Sequence, residues 1–137
     1  MATSAALDAA GKLVLRLAVG ILMLFHGVHK MSNGVEGIVG RVAAAGLPGE
    51  VGYLVYVGEV LAPLLVIVGL WTRPAALLMF ITMIVAIGLV HMNDLFLLTR
   101  AGGWALELQG LFLFGSLAIA LLGAGRHSIG GVHGRFN

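Results

Sequence analysis

Residues 51–71 read VGYLVYVGEVLAPLLVIVGLW. Glu59 is the one charged residue in the run, Pro63 follows four positions later, and Thr72-Arg73 stand just past its end. As a helix rising about 1.5 Å per residue, the run is about 31 Å long and matches the hydrocarbon core of a bilayer. Glu59 then lies about 12 Å inside. A carboxylate at that depth is costly unless it is neutral, paired or turned toward a wet cavity, which makes it a functional candidate. Pro63 adds to this, because it has no N–H to offer the carbonyl four residues back, that of Glu59 itself. A carboxyl group and a freed backbone oxygen therefore coincide at one level.

The composition around this run agrees with a membrane setting. Of 137 residues, 60% are hydrophobic and only 10% charged, against about 25% charged in soluble domains. The net charge is +2 with eight Lys and Arg, and these are scattered, without the basic clusters and interleaved aromatics of a nucleic-acid binder. Cysteine is absent, which excludes disulfides, thiolate metal sites and thiol chemistry carried by this chain. Any redox role must therefore rest on a partner or a bound small molecule. Lys12 and Arg16 precede the first apolar run, but that run is long and no small-residue cleavage site follows it, so a retained span is expected rather than a signal peptide.

Four spans are predicted, at about 12–31, 51–71, 74–92 and 104–122, making an all-α, four-helix membrane bundle in a single domain. Residues 1–11 read as a short tail. Within the Gly-rich loop 32–50, a helical face over 35–45 predicts a short surface helix. Thr72 and Pro74 suit the cap and first turn of the third helix. Four spans put both termini on one side, with Lys12, Arg16, Arg73, Arg126 and Arg135 against Asp8. The other side carries Lys30, Arg41 and Arg100 against Glu36, Glu50 and Asp94. The basic excess places both termini in the cytoplasm.

That topology brings four ionisable groups from different spans to similar depth in the non-cytoplasmic half. His26 ends span one, Glu59 begins span two, His91 ends span three and Glu107 begins span four. Two carboxylates and two imidazoles on four helices suit a proton relay, a quinone head group or a metal. No tight ligand spacing occurs, so neither a bound metal nor a haem is expected. Each group also has a plain structural reading. His91 can be solvated at the membrane edge, Glu107 can sit against the positive end of a helix dipole, and Glu59 can pair with His26 or Arg16. Arg16 is expected to snorkel outward. His29 and Lys30 read as solvated or head-group contacts, and His127 and His133 as surface.

Arg16 with Gly20, His26-Gly27, Lys30 and Gly34 resembles the first span of the DoxX family of small bacterial membrane proteins. Gly58-Glu59, Gly69, Thr72-Arg73 and Ala75-Ala76 are similar to that family's second span and turn. His91, Glu107 and the Gly123-Ala124-Gly125 … Ser128 exit extend the resemblance over about residues 12–130. It implies a multi-pass protein of the bacterial plasma (inner) membrane, of a kind described as a subunit of terminal quinol oxidase or of thiosulfate:quinone oxidoreductase. It also implies redox-enzyme partner subunits, a quinone as the cofactor to consider, and His26, Glu59, Arg73, His91 and Glu107 as the functional positions. The leading expectation is a non-autonomous subunit of an oxidoreductase complex, with Glu59 and His26 handling protons and His91, Glu107 and Arg73 binding ligand. A small proton-coupled exporter and a purely structural anchor or assembly factor are the alternatives, and a homo-oligomer is compatible with any of them.

Overall fold

The computed structural model describes residues 2–137. Five α-helices account for most of the chain: α1 (Ala2–Asn33), α2 (Glu36–Ala44), α3 (Ala62–Val68), α4 (Thr72–Val90) and α5 (Glu107–Leu122). Among the described residues the only β pairing is an isolated antiparallel bridge between Leu98 and Trp104. The predicted tail at residues 1–11 is instead part of α1, which already runs from Ala2. The segment is Ala-rich, Ala being the best helix former, and Lys12 donates to Asp8 one turn back at 2.8 Å. Met1 lies outside the described residues.

The run that decides the fold is not one uniform helix. It begins as a 3-10 turn at Gly49–Leu54, passes through a π-helical turn at Val57–Leu61, and continues as α3. The π turn lies directly before Pro63, where the ring would otherwise collide with the carbonyl four residues back. Widening the turn by one residue relieves that collision. It ends at Gly69, whose φ of 73° lets the Leu70 N–H close back on the Leu65 carbonyl at 3.0 Å; a side chain at this φ would be strained.

Thr72 is not the cap of α4. It is the first helical residue, and its backbone N–H and hydroxyl both donate to the Asn137 side-chain oxygen, at 3.1 and 3.0 Å. The fourth apolar run also starts later than 104, because Trp104 folds back and donates its indole N–H to the Leu95 carbonyl at 2.8 Å. That turn consumes residues 95–106 and lets α5 begin only at Glu107.

α1, α3, α4 and α5 enclose one core, built from Val19 and Met23, Ala62 and Val66, Ala75, Ala76, Met79 and Met83, and Phe112, Ile119 and Ala120. Outside it the helices stay apolar. Phe25, Leu61, Ile81, Leu111 and Phe114 are all more than half exposed. Gly49–Val68 and Thr72–Val90 are long and apolar enough to cross a membrane, yet only 33% and 22% of their apolar windows are buried. The core helix of a soluble protein would show the reverse, since large contiguous apolar surfaces are rare on soluble monomers.

Candidate functional site

The π turn sets the position of Glu59. Gly58 and Glu59 are both buried although they are neighbours in sequence, because the widened turn wedges between two helices. A Cβ on Gly58 would run into the Thr82 side chain of α4, and a Cβ on Gly27 of α1 would run into the Glu59 backbone oxygen. The carbonyl deprived of its partner by Pro63 thus points onto the bare Cα of Gly27. The Glu59 carboxylate is 4% exposed as a residue and is met by the ammonium of Lys30, which donates to its Oε2. Lys30 comes from the last turn of α1, where a cation also meets the negative end of the helix dipole. The Tyr56 hydroxyl donates to the Lys30 carbonyl at 3.2 Å and steadies that turn.

The pair forms one wall of a half-open pocket of about 120 Å³. His26 lines it from α1 and His91 from the end of α4, with Gln109 and Phe112 closing it from α5. His26 stands edge-on to the Phe112 ring, with centroids 5.5 Å apart. The His91 ring is held between two groups: Nδ1 is 3.5 Å from Asp94 Oδ2 and Nε2 is 3.3 Å from the Gln109 amide nitrogen. With the amide donating to Nε2, Nδ1 carries the proton and faces Asp94. The site therefore offers donors (Lys30, Gln109), an acceptor (Glu59) and two imidazoles able to act as either. No group of three His, Cys, Asp or Glu among the described residues is placed to hold a metal ion.

Three of the five positions singled out from sequence meet here: His26, Glu59 and His91. Glu107 does not. It is exposed as the first residue of α5, with its carboxylate folded over Gly103, and Gln109 two residues on faces the cavity in its place. Arg73 is also elsewhere, at the start of α4, about 27 Å along that helix from His91. There its guanidinium caps the end of α5, with Nη1 donating to the Ala120 and Leu121 carbonyls at 2.8 and 2.9 Å. Arg16 does not snorkel. It is 1% exposed and donates to four carbonyls: Val66 at 2.8 Å, Ile67 at 2.8 Å, Ala124 at 2.6 Å and His127 at 2.9 Å. Lys30, expected in solvent, instead completes the site. One signal for it was present, because Lys30 follows His26 by four residues and so shares its helix face.

An apolar-surfaced helical bundle that gathers a buried glutamate, its lysine partner and two partly exposed histidines around one pocket defines a helical membrane protein with a polar pocket. The DoxX family model matches residues 11–92, and the chain belongs to that family of membrane proteins. The match contains Arg16, His26, Lys30, Glu59, Arg73 and His91, whereas Gln109 and Phe112 on α5 lie beyond it. A protein of Bacillus subtilis (strain 168) named "Putative oxidoreductase CatD" is 34% identical over 114 residues, which cover 83% of this chain and 80% of that protein. No solved structure matches.

Proposed function

We propose that the chain is an integral four-span subunit of a redox complex in the bacterial plasma (inner) membrane, with both termini cytoplasmic, and that its half-open polar pocket meets a quinone head group. One observation carries this reading: buried Glu59 and its partner Lys30 share a single pocket with His26 and His91. A quinone carbonyl accepts hydrogen bonds, which Lys30 can donate, and a quinol hydroxyl donates one, which Glu59 can accept. The carboxylate and imidazoles can pass on the protons that accompany reduction. The relative named as an oxidoreductase supports a redox setting. Cysteine is absent, so electrons would come from a partner subunit.

Size sharpens the reading. At about 120 Å³ the cavity is well below the roughly 300–1,000 Å³ of drug-sized sites. It has room for the edge of one ring or a few waters, and a prenyl tail must lie outside. A groove of about 470 Å³ lined by Met31, Tyr56, Val60, Leu61 and Leu64 offers that place. Met31 and Val60 directly follow Lys30 and Glu59 in sequence, so the groove and the pocket draw on the same turns of the chain.

Four spans are supported by α1 and α5 beside the apolar helices Gly49–Val68 and Thr72–Val90. α5 alone is about 24 Å long, and the exposed Phe96, Leu97 and Leu98 extend its apolar band. Because the chain has no cysteine, single cysteines at Asn33, Asn93 and Ser128 report topology cleanly. An impermeant maleimide applied to spheroplasts should label the first two and spare the third; the opposite pattern overturns the orientation. For the site, a photoreactive quinone with the chain in lipid nanodiscs should label Met23, Met83 or Phe112 and be displaced by excess unlabelled decyl-quinone. Labelling confined to outward-facing residues and insensitive to competitor would remove the quinone reading.

A further inference from the structure

The cavity leaves unexplained the opposite end of the bundle, where the segment 126–137 lies. From residue 108 to residue 137 the chain holds no Asp or Glu. Arg126, His127, His133 and Arg135 are exposed there, and between them stand Ile129, Val132 and Phe136, exposed by 75%, 58% and 54%. The segment is held against the bundle. The Ile129 N–H donates to the Val68 carbonyl at 3.0 Å, the Gly130 N–H to the Gly69 carbonyl at 2.9 Å, and the Arg73 N–H to the Phe136 carbonyl at 3.0 Å. Trp71, 58% exposed, lies in the same turn. The Lys12 stem packs along Gly125. Among the described residues, the Arg126 and Arg135 guanidinium groups have no hydrogen-bond or ion-pair partner, although Arg135 lies over the Phe136 ring at 4.8 Å.

We propose that this face is a binding platform for anionic phospholipid head groups. Charge complementarity points to an anion, and the exposed apolar side chains between the cations point to a lipid. At a bilayer boundary the Arg side chains reach phosphates while Ile129, Val132 and Phe136 enter the acyl margin, beside an interfacial tryptophan. An acidic protein surface would satisfy the cations but leave those apolar groups uncovered. The platform does not depend on the quinone reading or on which side of the membrane it faces.

The two tryptophans supply the test, because Trp71 is beside the platform and Trp104 is at the other end of the bundle. Single-tryptophan chains, Trp104→Phe and Trp71→Phe, are placed in nanodiscs of phosphatidylcholine with a minor share of phosphatidylglycerol. The bromine is carried by one lipid or the other at equal mole fraction. Brominated phosphatidylglycerol should quench Trp71 as though enriched about fivefold, the preference expected from one well-placed basic residue, and should show no preference at Trp104. Arg126→Gln combined with Arg135→Gln should remove the enrichment without loss of helicity, since neither side chain holds the fold. Equal quenching of Trp71 by both lipids, the result if the face docks an acidic protein instead, would overturn the proposal. So would enrichment that persists in the double variant.

Discussion

Two inward-turned cations, Arg16 midway along α1 and Lys30 in its last turn, are stabilised in opposite ways. Arg16 has no anion beside it. Its guanidinium donates to four backbone carbonyls, from the end of α3 and from residues 124–127, so every nitrogen is engaged and it ties three parts of the chain together. Lys30 has one carboxylate and borders a cavity. A planar, permanently charged group with five fixed donors suits a knot, and a flexible ammonium beside a carboxylate suits a place where protons and ligands come and go. The contrast separates structure from function within one helix: the fully satisfied cation holds the fold, and the cation with a hollow beside it is available for chemistry.

The largest expected effect follows from breaking the knot. Arg16→Leu leaves four carbonyls, two of them buried, without their donor and should cost about 3–5 kcal/mol, comparable to breaking a buried ion pair. Arg16→Lys should recover little of it, because an ammonium cannot span carbonyls on both sides. Helicity followed through an SDS titration in mild detergent measures both. A lysine variant as stable as wild type would show that charge alone is required there.

Gly27→Ala comes next. Its methyl group would occupy the place of the Glu59 carbonyl, so α1 must move away from the π turn at about 1–3 kcal/mol. Gly37→Ala on α2, where nothing lies within 4 Å, should be neutral or slightly stabilising in the same titration. Equal costs at the two glycines would mean that the close approach of α1 to the π turn does not hold the site.

Lys30→Met should destabilise by about 2–3 kcal/mol, less than a fully enclosed pair because the Lys30 side chain is 25% exposed. Combining it with Glu59→Leu should return most of that loss, since two uncharged groups leave no stranded carboxylate. The double-mutant cycle is the measurement, with Glu107→Gln as a control expected to change nothing. Additive costs would show that the two charges do not depend on each other.

The comparison also shows which features are legible in sequence. Glu59 and its depth are visible in residues 51–71, and Pro63 marks the place where the helix widens. The helix over 74–92 is found at Thr72–Val90, because an uninterrupted apolar run leaves little choice. The inward turn of Arg16 is not legible, and that of Lys30 only as far as its spacing of four from His26 puts both on one helix face. Each residue of a helix rotates the side-chain direction by about 100°, and one extra residue in the π turn changes which face of the following helix meets α1. Glu107 was misplaced for the same kind of reason. Trp104 folding onto Leu95 delays the start of α5, and with it the choice between Glu107 and Gln109 for the cavity. Carbonyl acceptors for arginines carry no signal in side-chain identity at all.

The most direct measurement compares the affinities of a quinone and of its quinol for the wild-type chain and for Glu59→Gln, in nanodiscs of one composition. Glutamine keeps the size of Glu59 and a hydrogen bond to Lys30 but loses the charge. A quinol hydroxyl donating to the Glu59 carboxylate should bind about tenfold more weakly to the variant, the scale of one charge-assisted hydrogen bond. The quinone, which only accepts and is met by Lys30, should bind as before. Equal affinities of both forms for the two proteins would contradict a ligand-facing Glu59 and leave the Lys30–Glu59 pair as a structural strut.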